Sequence, residues 1–331
     1  MNKFYALCGK FSVFGLLAAM MLASSISIFA QIGPGTGNIR LRDALDTDGD
    51  DKADFTVFRP SNNVWYTLKS GGGFSITNWG LASQDFMTPG DYDGDGKGDV
   101  SVWRDSTGAW YRLNSSNGTV VIENWGSPGD EPVARDYDGD GKTDHAIARR
   151  TAGDLVWWIF RSSDRGFTVV QWGLAGDYTA PGDYDGDGKF DVSVQRPGAS
   201  ASANSTFYTL RSSNQSLQTA TWGLTNDLCV PGDYDGDGKT DYAVVREGST
   251  PTAALQWYVL LSNGGVLFVP FGITGSDLNS QADYDGDGKT DIAVWRDTDS
   301  KFYFRRSIDG VINIVQWGSA NDYPVASYDT H

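Results

Sequence analysis

Asp91-Tyr92-Asp93-Gly94-Asp95-Gly96-Lys97-Gly98-Asp99 places four carboxylates in nine residues, at positions 1, 3, 5 and 9. The spacing returns at Asp136, Asp138, Asp140 and Asp144, and again at Asp183, Asp185, Asp187 and Asp191. It returns at Asp233, Asp235, Asp237 and Asp241, and at Asp283, Asp285, Asp287 and Asp291. A weaker copy has Asp46, Asp48, Asp50 and Asp54, with Asp51 where the other copies have Gly96, Gly141, Gly188, Gly238 and Gly288. Like charges crowded this closely repel, and a hard cation turns the repulsion into attraction. With the carbonyl of position 7 and water, a loop offers about six or seven oxygen ligands, which suits Ca²⁺ better than Mg²⁺. These aspartates are therefore the expected ligands of up to six calcium ions. Glycine at position 6 supplies the positive φ that folds the loop over the ion.

The first half of the pattern matches an EF-hand loop and the second half does not. Position 12 is Val57, Val102, Ile147, Val194, Val244 or Val294, never glutamate, and the flanks read as strands. The loops are expected to staple hairpin turns and not to open helices. Asp-Gly pairs alone make hairpin turns, but such a turn has no need of a fourth carboxylate at position 9 in every copy.

The loops begin at residues 46, 91, 136, 183, 233 and 283, and a period of that size marks propellers and other repeat arrays. Each unit follows one course. A short strand comes after the loop (55–59, 100–104, 145–149, 192–196, 242–246, 292–296). Next is an aromatic strand, as at Trp65-Tyr66 and Trp110-Tyr111, then one ending in Trp-Gly or Phe-Gly, at Trp79, Trp125, Trp172, Trp222, Phe271 and Trp317. A fourth short strand, such as 132–135 or 230–232, leads into the next loop. No long helical period is present. The fold predicted is all-β: a propeller, six blades of four antiparallel strands, with calcium loops in the first-to-second-strand turns. Seven blades is the alternative, and an open stack of hairpins a further one. Residues 322–326 resemble 130–134 with no acidic loop after them. A strand of that kind can close the ring against the first blade and remove a sheet edge.

The loop, short strand, arginine and Trp-Tyr pair together resemble the FG-GAP/VCBS repeats of integrin α-subunits and of many secreted bacterial proteins. The resemblance covers nearly all of residues 40–331, with Asp51 as its departure. It implies a calcium-binding β-propeller used for adhesion or for recognition of glycans and proteins.

Composition sets further bounds. The 331-residue chain has a formal net charge of −16. Most of the acidity lies in the loops, where divalent ions would offset it, and no basic stripe for nucleic acid is present. Residues 1–30 read as a signal peptide. Lys3 and Lys10 begin it, residues 11–24 are its apolar run, and Ile28-Phe29-Ala30 precedes Gln31 at the expected cleavage site. The propeller is then residues 31–331, secreted or at the cell surface. Cys229 is the one cysteine after that segment, so no internal disulfide is expected.

Other repeated residues admit two readings. Arg59, Arg104, Arg149, Arg196, Arg246 and Arg296 close every post-loop strand. They could form a ring of cations for an acidic ligand. Sixfold repetition favours guanidinium groups paired to carboxylates and packed on aromatic rings. The repeated aromatics could stack on sugars, but they read better as packing between blades. His145 and Cys229 are expected to be packed residues. The connections 197–206 and 247–256 are longer than 60–64. They should lie side by side on the face opposite the acidic loops, a candidate binding surface. No nucleophile elbow, phosphate loop, zinc motif or Ser/His/Asp set appears, so a non-enzymatic role is expected. The leading expectation is a recognition module for a protein or surface glycan. A calcium-stabilised lectin with sugar pockets between blades comes next, and a polysaccharide-active enzyme last.

Overall fold

The computed structural model describes residues 44–325, and the expected signal peptide lies outside them. Among the described residues every regular element is a β-strand, and the strands form six four-stranded antiparallel sheets. The blade built on the loop from Asp91 shows the plan. An inner strand, Asp85–Met87, leads into the loop, and Val100–Arg104, Ala109–Leu113 and Val120–Asn124 follow outward in order. The acidic loops therefore occupy the first-to-second-strand turns, as predicted. Blades are numbered below by their loops, in chain order.

Closure decides between six blades and seven. Tyr323–Pro324 is the inner strand of blade one and pairs with Phe55–Arg59 through Val57–Pro324 and Phe58–Tyr323. This last described strand thus completes the first sheet, and among the described residues the ring holds six blades. The inner strands lie earlier than the sequence suggested. Glu131–Pro132 and Leu228–Cys229 make the ladder, while 132–135 and 230–232 were expected to. Beyond them the contact shrinks to single bridges, Arg135–Asp144 and Gly232–Asp241. The chain has to part from its neighbour there to open a nine-residue loop, and the position-9 aspartate pins the base.

The second strand of each blade is buried on both faces. Its small residues Thr56, Ser101, Ala146, Ser193, Ala243 and Ala293 are buried, and so are Val57, Val102, Ile147, Val194, Val244 and Val294 on the opposite face. Small side chains let the adjoining sheet approach, and β-branched ones fill the other side. The core therefore lies between blades. At the closure, Phe55 and Val57 of blade one pack with Tyr284, Trp295 and Phe302 of blade six.

The aromatic strand ends latch neighbouring blades. The indole N–H of Trp79 donates to the Tyr111 carbonyl, Trp125 to Trp158, Trp172 to Tyr208, Trp222 to Tyr258, and Trp317 to Tyr66, at 2.9–3.1 Å. The last of these spans the closure. Phe271 has no N–H to give, so blade five lacks this latch.

Candidate metal centres in the acidic loops

Loop two shows how the four carboxylates are held. Asp91 at position 1 caps the turn: its oxygens accept from the N–H groups of Gly94 (2.6 Å) and Gly96 (2.9 Å). Asp99 at position 9 returns from the buried strand and accepts from Tyr92 N–H (3.0 Å) and Ser115 N–H (2.7 Å). Asp95 at position 5 accepts from Lys97 N–H and the Ser115 hydroxyl, both at 2.9 Å. Asp93 at position 3 accepts from the Ser116 hydroxyl at 2.6 Å. Glycine at position 6 has φ of +82° to +88° in loops two to six. Loop one folds alike despite its substitution. Asp51 takes φ 64° and donates its N–H to Asp46 at 2.9 Å, as Gly96 does to Asp91.

In loops two to five, positions 1, 3 and 9 converge. Oxygens of Asp91, Asp93 and Asp99 lie within 4.8 Å of one another, as do those of Asp136, Asp138 and Asp144, of Asp183, Asp185 and Asp191, and of Asp233, Asp235 and Asp241. In loop one the converging set is Asp46, Asp48 and Asp50, and one more such cluster is present among the described residues. Position 5 in loops two to five is turned toward the serine of the adjoining turn. The residues fit a divalent cation on a further ground. Asp48 Oδ1, Asp185 Oδ1 and Asp235 Oδ2, all at position 3, are buried with no hydrogen-bond partner. A buried carboxylate oxygen without a donor is costly, and a cation amid the other carboxylates would satisfy it.

Burial sets the electrostatics. It pushes Asp99 and Asp191 up to about 6, and Asp144, Asp241 and Asp291 up to about 7, against the hydrogen bonds they accept. Asp183 at position 1 rises to about 6 for the same reason. Without a countercharge these groups resist ionisation, and a divalent ion would supply one.

Several contributors escaped the sequence reading. A serine follows the third strand in every blade: Ser70, Ser115, Ser162, Ser212, Ser262 and Ser307. Each donates its N–H to the position-9 aspartate at 2.6–2.7 Å. The residue recurs in the sequence, but serine is common in turns and its recurrence alone does not name the aspartate it serves. Tyrosine at position 2 does more than turn the chain. The hydroxyls of Tyr92, Tyr137, Tyr184, Tyr234 and Tyr284 donate to inner-strand-side carbonyls at 2.6–2.8 Å, and burial raises Tyr92 to about 12.

The loops also bond to one another. The position-8 N–H of each donates to the position-1 carbonyl of the preceding loop: Gly98 to Asp46, Thr143 to Asp91, Phe190 to Asp136, Thr240 to Asp183 and Thr290 to Asp233. Ala53 donates to Asp283 and completes the circle, all at 2.6–2.8 Å. Each position-7 lysine lies across the position-4 glycine of the same preceding loop. A Cβ on Gly94, for example, would meet Lys142 Cε at 2.5 Å. The lysine end could swing aside, so that glycine is needed chiefly for its φ of 81°.

The six arginines are staples. Arg104 binds Asp85 through Nε (2.7 Å) and Nη2 (2.9 Å) and lies 4.4 Å from the Tyr111 ring centre. The same pairing joins Arg59 to Asp322, Arg149 to Asp130, Arg196 to Asp177, Arg246 to Asp227 and Arg296 to Asp277. His145 is a buried strand residue, and the Cys229 thiol donates to Gln195 Oε1 at 3.1 Å.

A family model described as the FG-GAP-like repeat matches residues 91–147 and 233–294. No curated protein matches the chain. Among solved structures, AofleA from Arthrobotrys oligospora is similar at a TM-score of 0.50 and 11% identity, over 87% of this chain and 90% of that one. A virginiamycin B lyase from Staphylococcus aureus, solved with quinupristin, is similar at 0.45 and 10%, over 85% and 87%. At 11% identity the likeness to AofleA is one of fold. No helix among the described residues is long and apolar enough to cross a membrane. The matched segments take in the loops from Asp91, Asp136, Asp233 and Asp283, so FG-GAP-like repeats stand at these two places of a six-bladed β-propeller.

Proposed function

We propose that this chain is an exported recognition module whose six acidic loops each hold one Ca²⁺ as a structural staple. The observation that carries the metal reading is the buried, unpartnered position-3 oxygen of Asp48, Asp185 and Asp235 beside converging carboxylates. Positions 1, 3 and 9 would hold the ion in loops two to five and positions 1, 3 and 5 in loop one, and hard oxygen donors alone favour Ca²⁺ over softer-ligand metals. Its chemistry there is charge neutralisation. The paired serines and the glycine N–H groups orient the carboxylates around it.

Recognition is assigned to the opposite face. The connections between Val192–Arg196 and Asn204–Leu210, and between Tyr242–Arg246 and Ala254–Leu260, are the long ones and belong to neighbouring blades. Their tips are exposed. A protein or surface glycan is the partner class, and no catalytic role is assigned. Melting with and without chelator tests the metal. At calcium a hundredfold above its dissociation constant, each loop adds about 2.7 kcal/mol. Several loops together should raise the midpoint by well over 10 °C. Identical melts in EGTA and in millimolar calcium would sink the metal reading, and a glycan array run in both buffers tests recognition.

A further inference from the structure

The cleft between blades two and three breaks the symmetry of the ring. It encloses about 320 Å³, and its lining includes Tyr92, Arg112, Lys142, His145, Phe160 and Arg165. Two of these, Arg112 and His145, depart from the repeat. Arg112 stands where the other third strands have Thr67, Ile159, Thr209, Val259 and Phe304. His145 begins a strand that elsewhere begins with Phe55, Val100, Val192, Tyr242 or Ile292. Arg165 takes a left-handed backbone (φ 55°) in a turn where blades two and six place Gly118 and Gly310 and blade four places Gln215 (φ 58°).

The charges favour an anion. Arg112 donates through Nε to Asn114 Oδ1 (2.9 Å) and makes no ion pair among the described residues. Lys142 donates to the Asp93 carbonyl (3.1 Å) and likewise meets no carboxylate in an ion pair. Arg165 is paired with Glu123 (3.0 Å) and Arg161 with Asp164 (2.8 Å). Asp93 is the remaining acid in the lining, and an ion in its loop would neutralise it. So two uncompensated cations face a cleft in a chain of net charge −16. His145 is only 7% exposed, and its Nε2 has no hydrogen-bond partner. Its ring lies 4.9 Å from that of Tyr92.

We propose that this cleft binds one anionic sugar unit, its carboxylate or sulfate met by Arg112 and Lys142 and its body lying on the aromatic lining. The volume is at the lower end for small-ligand sites, which run from about 300 to 1,000 Å³, and so suits a single residue of an acidic glycan. This inference rests on the recognition reading for its partner class, but its site lies beside the acidic loops, on the face away from the long connections.

Calorimetric titration of the full chain in calcium with digalacturonate, a heparin-derived sulfated disaccharide and neutral cellobiose tests it. At least one acidic probe should bind ten times more tightly than cellobiose, and the two acidic arms separate a carboxylate reader from a sulfate reader. Arg112→Thr introduces the residue that blades one and four carry, so the ring should fold with an unchanged melt while acidic-probe affinity falls at least tenfold. Should that variant melt early, His145→Val, the residue of blades two and four, serves in its place with the same expected loss. Equal binding of cellobiose, or undiminished acidic binding in the folded variants, overturns the site. Glycan or protein binding elsewhere, without any response to acidic sugars, overturns the site and leaves the recognition reading standing.

Discussion

Replacing Arg296 with methionine separates a staple from a ligand-binding ring. Its Nε and Nη2 each donate to Asp277 at 2.7 Å, and its guanidinium lies 4.3 Å from the Tyr303 ring centre. The Asp277 side chain is 0% exposed and that of Arg296 19%. Methionine keeps the apolar stem and removes the charge, which leaves a buried carboxylate unpaired. Such a break costs about 3–5 kcal/mol. Asp277 keeps two donors, Ile273 N–H and the Ser276 hydroxyl, each at 2.8 Å, so the lower end applies. Losing the ring contact adds about 0.5–1 kcal/mol. For a domain of this size a loss of ~3–4 kcal/mol lowers the melting midpoint by about 5–7 °C. Circular dichroism melts in saturating calcium measure it. Lys301→Met is the control: its pair with Asp299 is 3.3 Å long and about a third exposed on both sides, so it should change stability by less than about 1 kcal/mol. Adding Asp277→Asn to the arginine variant should recover part of the loss, because the stranded charge is gone. A midpoint within a degree of wild type would refute the staple and revive the idea that these cations are held for an acidic ligand.

Calcium-free protein should lose stability as pH rises. Asp99, Asp144, Asp191, Asp241 and Asp291 have folded-state values of about 6–7, above the unfolded value of about 3.9. Their proton-linked stability is complete below pH ~4 and disappears as pH passes through 6–7. Melts in metal-stripped buffer from pH 4.5 to 8 check this, and a rising midpoint would contradict it; with calcium the downward slope should vanish. Asp51→Gly relieves a side chain at φ 64° and should stabilise loop one by about 1 kcal/mol, read from urea titrations in calcium. Ser115→Ala removes the hydroxyl bond to Asp95 and should weaken ion binding at loop two about tenfold, seen as one altered site in a calcium titration. Trp317→Phe deletes the latch across the closure and should cost about 1–2 kcal/mol. Faster amide exchange where blades one and six meet would report that loss, and uniform exchange would count against it.

Much of the architecture was legible because it is written as intervals along one chain. The aspartates at positions 1, 3, 5 and 9 and the small residue at the second place of each post-loop strand are of this kind. So is the C-terminal strand at residues 323–324 that lacks a loop. The arginine staple could also be inferred, since six identical cations need six identical partners. What stayed hidden runs between blades through main-chain atoms. The Trp79 indole meets a carbonyl of Tyr111, and Gly98 N–H meets a carbonyl of Asp46. Any residue supplies a carbonyl, so no side-chain identity marks the acceptor. Ser115 shows the opposite case: the residue recurs, but its target is sixteen residues back in an adjacent turn.

The circle of loop-to-loop hydrogen bonds constrains which lengths the chain can vary. Each nine-residue loop is held at both ends by fixed neighbours, so one inserted residue would push the defect around the whole circumference. The connections between second and third strands carry no such obligation. Repeat starts drift from 45 to 50 residues apart while every acidic loop keeps its length. The extra length sits in the second-to-third-strand connections, while the turns between third and fourth strands beside the acidic loops differ by only one residue.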